Sequence, residues 1–205
     1  MDFKNLTQES LDRVKAMFPE DEKLQALTLQ ELIEYSHGKD PNGSTAQPAP
    51  KPKEAKRVEA FVTDCQWEIG MVVLDCIYVL MGAWALRSHV SNATVEETAK
   101  VIAPHLAEIE KIVQRLAEAQ STYDQAKEIF AIGKLIFTAG LLEEIYRAIY
   151  NTLTWWDAVL YSVLGLAELT AMFLTDGAAT VAEVVAEIAL VGWVVSDAAK
   201  AIEAC

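Results

Sequence analysis

Three segments, Ile69–Leu86, Ala158–Leu174 and Ala178–Val195, are apolar almost throughout, contain no Lys or Arg, and yet carry carboxylates. The acids are Asp75 in the first, Glu168 in the second, and Glu183 and Glu187 in the third. A helix resting on a protein surface needs only one apolar stripe. A helix in hydrocarbon rarely carries an ionised group, which costs roughly 2.5–3.5 kcal/mol at the bilayer centre on insertion scales. Segments of this kind belong either in the interior of a bundle or in lipid, and the chain stands on the border between the two.

Length and charge narrow the choice. A chain of 205 residues can enclose one good core with a small appendage. Apolar residues make up 52% and charged residues 23%, so a folded chain is expected rather than a disordered one. The formal net charge of −13 excludes nucleic acid as a partner, because phosphate binding needs clustered Lys and Arg. The first residues, Met1 to Phe18, are amphipathic and have no apolar signal region. Synthesis in the cytoplasm is therefore expected, with export, if it occurs, by a signal-independent route, or with membrane association.

The pattern along the chain predicts an all-α fold. Leu6, Leu11, Val14 and Phe18 recur at helical spacing, with Thr7 as N-cap and Pro19 as the stop. A short helix around Leu24 and Leu27 leads to Thr28-Leu-Gln-Glu31, a capping box that opens a helix ending at His37-Gly38. Residues 1–37 thus form a small helical unit, read either as a docking module for a protein partner or as a cap on the bundle. Residues 38–53 contain four prolines and two glycines and form a linker. Residues 54–205 form a bundle of about six helices. They are expected over 54–89, 94–120 (opened by a Thr94–Glu97 capping box and interrupted at Pro104), 121–140, 141–153, 154–176 and 178–204. The Asp176-Gly177 turn would make the last two a hydrophobic helical hairpin.

Polar residues in the apolar helices fall on narrow stripes. On the first, Asp64, Glu68, Asp75, Gly82 and His89 lie near one line. On the fifth, Asp157, Tyr161, Glu168 and Thr175 do so, and on the sixth Thr180, Glu183 and Glu187. These stripes face water through gaps in a bundle, or they act as conditional charges. In the second case Asp75, Glu168, Glu183 and Glu187 set a threshold for membrane insertion, because protonation removes the cost of burying them in lipid. Trp84, Trp155, Trp156 and Trp193 lie near segment ends, where interfacial aromatics sit. Gly165, Ala167 and Ala171, with the alanines and Gly192 of the last segment, permit close helix approach.

The Trp155–Ala199 hairpin, with its small residues and Asp176-Gly177 turn, resembles in architecture the hidden hairpin of helical pore-forming proteins such as colicin channel domains. It departs from them by carrying Glu168, Glu183 and Glu187. The run from Trp155-Trp-Asp through Ser196-Asp-Ala-Ala-Lys to Cys205 also looks like the end of small bacterial helical proteins of unassigned function. The resemblance implies a bundle able to insert into or permeabilise a bilayer, and action as an oligomer is expected, with lipid and self-association as its partners.

Enzyme chemistry finds no footing in the sequence. Glu34-Tyr-Ser-His37 is a lone Glu-x-x-His spacing, and a di-carboxylate metal site needs a second. No phosphate loop, nucleophile elbow or paired-cysteine motif is present. No catalytic, cofactor or metal residue is therefore assigned. Lys134, in the apolar run 129–142, is expected to snorkel or to pair with a carboxylate. Cys65 and Cys76, about 16 Å apart along one helix, cannot bridge each other and read as small buried hydrophobes. Cys205 reads as a free thiol. The expected function is membrane action by a bundle with a water-soluble form; the alternative is a non-enzymatic interaction or scaffold protein whose core never opens.

Overall fold

The computed structural model describes residues 6–37, 62–82, 87, 90–151, 153, 155–174 and 192–205. The predicted linker, the Asp176-Gly177 turn and the residues Trp84, Glu183 and Glu187 lie outside the described residues, as does the side chain of Glu168. Among the described residues the chain is all-α, with no strand. The helices are α1 (Gln8–Met17), α2 (Glu22–Ala26), α3 (Leu29–Ser36), α4 (Asp64–Leu80), α5 (Asn92–Ile102), α6 (Leu106–Glu118), α7 (Thr122–Thr138), α8 (Leu142–Tyr150), α9 (Trp155–Leu174) and α10 (Trp193–Ala204).

Local chemistry sets most boundaries. Thr7, Thr28 and Ser121 each accept a backbone N–H of the first turn and start α1, α3 and α7 as expected. Pro104 sits in a single 3₁₀ turn, Ala103–His105, between α5 and α6, where its missing N–H is harmless.

Three expected boundaries are corrected. The first bundle helix starts at Asp64, because Thr63 and Gln66 form a capping box there, and it ends at Leu80 rather than continuing to His89. Gly82 takes φ +59, a left-handed conformation that glycine adopts without the Cβ penalty, and its N–H closes the last turn on the Val79 carbonyl. The apolar residues that follow masked this stop in the sequence. The next helix is capped by Ser91, which accepts the Thr94 N–H; Thr94 lies inside the first turn and is buried.

The centre of the bundle is α4. Helices α5, α6, α7 and α10 pack around it, α8 joins α5 to α9, and α6 packs on α7 and α10. Every residue from Val72 to Leu80 is buried. This central position accounts for the wide apolar arc of the segment: a helix surrounded by four others has little face left for water.

The N-terminal helices share the same core. Leu11, Val14, Leu24 and Leu32 are fully buried, and α1 and α3 pack on α9. On α9 itself, Gly165 lets the Tyr146 ring approach so closely that a Cβ there would collide with the Tyr146 hydroxyl and the Met81 sulfur. Among the described residues no helix is long and apolar enough to cross a membrane.

Candidate functional site

The middle of α4 carries a carboxylate with no access to solvent. Asp75 is 0% exposed, with apolar neighbours on either side along the chain. An ionised carboxylate cannot remain there without a partner. Arg87, just beyond the Gly82 stop, turns back and donates from Nε to Asp75 Oδ1 at 3.0 Å. Its Nη2 donates to Asp197 Oδ2 on α10, and Lys200, one turn on, donates to Asp197 Oδ1 at 2.6 Å. The Arg87 guanidinium also lies over the Trp193 ring, 4.4 Å from its centroid. Two acids and two bases, drawn from α4, the segment after it and α10, thus form one cluster.

Its electrostatics are uneven. Burial pushes the Asp75 carboxyl up to about 8; Arg87 opposes this by charge and hydrogen bond, and Asp197 adds to it. Asp75 Oδ2 finds no hydrogen-bond partner among the described residues. As a bare acceptor it would be costly, whereas a proton on it makes it a donor, and interaction with Asp197 favours that protonated form. The cluster is best described as an acid and a carboxylate sharing one guanidinium. Burial, with the Asp75 charge, also raises the Cys76 thiol and the Tyr78 phenol. Neither ionises under ordinary conditions.

A covalent link joins the same two helices. Cys65, in the first turn of α4, is bridged to Cys205 after α10, with Cα atoms 4.6 Å apart. This corrects two expectations: Cys205 is not a free thiol, and Cys65 is not simply a small hydrophobe. Cys76 is free and buried, as expected.

The other residues singled out from sequence are spread over the molecule. Of the four threshold carboxylates, Asp75 alone has a described side chain, and it faces Arg87 rather than water. Trp193 is covered by Arg87. Trp155 and Trp156 are half-buried at the start of α9, edge to face at 4.9 Å, with Tyr35 stacked on Trp156 and Lys23 over Trp155. Lys134 is exposed, in keeping with snorkelling. His37 is the C-cap of α3, with Nδ1 2.9 Å from the Ile33 carbonyl. Among the described residues no group of acids, His and Cys is placed to hold a metal ion. A groove of about 620 Å³ between α5 and α8 is lined by Glu97, Glu143, Glu144 and Arg147, and is open to solvent.

Arg87 and Asp197 are the site residues that sequence reasoning missed. The signal available was indirect: an acid inside an apolar run needs a cation, and Arg87 is the first one after it. In comparisons with known proteins, no family model, curated protein or solved structure matches this chain.

Proposed function

We propose that this chain is a non-enzymatic, membrane-active helical bundle: a closed form whose apolar helices can pass to a lipid bilayer and permeabilise it, with self-association in the membrane. The observation that carries the reading is Asp75, a titratable group fully buried in the most enclosed helix and tied to α10 through Arg87. A carboxyl that is already neutral near pH 7 is compatible with an apolar core and also with hydrocarbon. On this reading Asp75 needs no acid below neutral pH to be uncharged. Any acid trigger falls to Glu168, Glu183 and Glu187, whose ordinary pKa values are about 4.3. The Cys65–Cys205 bridge supports action outside the reducing cytoplasm, by the signal-independent route considered above, since such links persist in oxidising compartments.

Dye release from liposomes across pH tests the proposal. Release by the disulfide-intact protein is expected to rise below about pH 5, as the glutamates neutralise. Absence of release from pH 4 to pH 8 would overturn it. One observation favours a second reading, an interaction or scaffold protein with a permanently closed core. Among the described residues, Tyr123, at 61%, is the one large apolar side chain classed as exposed. That reading predicts no release and a cooperative, monomeric melt.

A further inference from the structure

The Cys65–Cys205 bridge is open to attack from solution. Cys65 is half-buried in the first turn of α4, and Cys205, just past α10, is exposed. Exchange with a thiol depends on access to a sulfur, so exposed disulfides are the labile and regulatory ones, whereas enclosed ones resist reduction. The third cysteine takes no part in the bridge. Cys76 is free and buried, three turns further along α4.

The helix that the bridge secures has little else to hold it. α10 packs mainly on α4 and α6. It runs antiparallel to α4: the bridge ties its end to the start of α4, and Arg87 ties Asp197, nearer its start, to Asp75, further along α4. The apolar side chains it buries are small, Val194, Ala198 and Ala201, with Trp193, Val195 and Ile202 only partly covered. Stabilisation by burial scales with apolar area, so such a face holds weakly. Its polar anchor is Asp197, gripped by an Arg87 side chain that is itself partly exposed and also covers Trp193. An ion pair with one partner open to water contributes modestly. Lys200 pairs with Asp197 inside the same helix and adds nothing to the hold on α4. A helix of 12 residues is marginal on its own, so α10 unwinds when it leaves.

We propose that the Cys65–Cys205 bridge is a reducible latch: a dithiol attacking at Cys205 opens it, and α10 then opens from α4 as a unit, more readily than the rest of the bundle. This goes beyond membrane action and does not depend on it.

The exchange balances between the two reactants. A thiolate of the dithiol attacks the Cys205 sulfur, the more accessible of the pair. A mixed disulfide forms there as the bond to Cys65 breaks, and Cys65 leaves as a thiolate that takes up a proton. The second thiol of the dithiol, giving up its own proton, attacks the mixed disulfide, frees Cys205 and closes the reagent's disulfide. The protein gains two electrons and two protons, and the dithiol loses them.

Alkylation and amide hydrogen exchange of the full chain test this. Dithiothreitol in native buffer is expected to open the bridge at a rate within roughly tenfold of that in unfolding urea, with Cys65 and Cys205 both alkylated afterwards. A bridge that opens only when the chain unfolds would overturn the proposal. Brief treatment with glutathione, quenched with acid, should leave glutathione on Cys205; glutathione on Cys65 would overturn the assigned attack. On reduction, the gap in protection between α4 and the middle of α10, Asp197 to Lys200, should widen at least about tenfold. The double variant Cys65→Ser, Cys205→Ser should show the same gap with no reductant present. An unchanged gap would show that the bridge supports the bundle as a whole, and a loss confined to residues 201–204 would show fraying of the last turn. Either result overturns the latch.

Discussion

Replacing Asp75 with Asn should flatten the dependence of stability on pH. The folded protein holds the Asp75 carboxyl at about 8, against the ordinary 3.8 of an unburied Asp. Between these limits the folded state binds a proton that the unfolded state has released. The stabilising contribution is therefore complete below about pH 4 and is lost as pH rises towards 8, beyond which the loss levels off. One proton gives a slope of at most about 1.4 kcal/mol per pH unit. From pH 6 to pH 8 the protein should lose on the order of 2 kcal/mol through this group. Asn cannot ionise. Its Oδ1 still accepts from Arg87 Nε, and its Nδ2–H takes the place of the proton on Oδ2. Urea unfolding of both proteins at pH 5, 6, 7 and 8, with m-values compared, reads the difference directly. The variant should gain on the parent by about 1.4 kcal/mol per pH unit from pH 5 upwards, levelling off near pH 8, where it should be clearly the more stable. Parallel profiles, or a variant several kcal/mol weaker at every pH, would show that Asp75 is folded as a carboxylate paired with Arg87, and the argument for a neutral acid would fail.

Three other outcomes follow from the packing. Converting Cys65 and Cys205 to Ser opens a ring spanning 140 positions and should cost about 3–5 kcal/mol by the chain-entropy argument, measured as a fall in the urea midpoint at unchanged m; an unmoved midpoint would mean that the bridge does not form. Gly165→Ala drives a methyl group against the Tyr146 hydroxyl, which donates to the Met81 sulfur at 2.6 Å, and should cost about 1–3 kcal/mol by thermal melt. Gly82→Ala has open space around it but must take φ +59, so about 1 kcal/mol is expected, with a melting shift of roughly 2–4 °C.

What the sequence disclosed, and what it withheld, divides by range. Thr7 and Thr28 were readable as caps, and position 121 as a helix start, because a cap depends on three or four neighbouring residues. The Pro104 interruption was readable for the same reason. The end of α4 was missed because hydrophobicity continues past Gly82, and a left-handed glycine leaves no mark on an apolar pattern. The bridge from Cys65 to Cys205 was missed because a pairing across 140 positions depends on where α10 lies, which no local pattern encodes. Asp75 was visible as an anomaly in its helix, but its partners come from Arg87 and from α10, and that juxtaposition is a property of the tertiary fold. The wide apolar arc of α4 was visible too. Its cause, burial by four neighbouring helices, required the packing itself.

The cluster and the bridge together constrain how such a bundle could open. With Cys65 joined to Cys205, the start of α4 and the end of α10 cannot separate, and Arg87 holds the same two helices at a second level. Moving α10 away would also break the contact between Asp197, whose side chain is 9% exposed, and Arg87, whose side chain is 34% exposed. The N-terminal helices face no comparable barrier. No described disulfide crosses their contact with α9, and their polar fastening is a small group of hydrogen bonds and ring contacts at the edge of the core. If the core opens at all, the α1–α3 side should give way before the α4–α10 side. Amide hydrogen exchange would show this as lower protection of α1 and α3 than of α4 and α10 under native conditions. Equal protection throughout would make the bundle a single cooperative unit and favour the permanently closed reading.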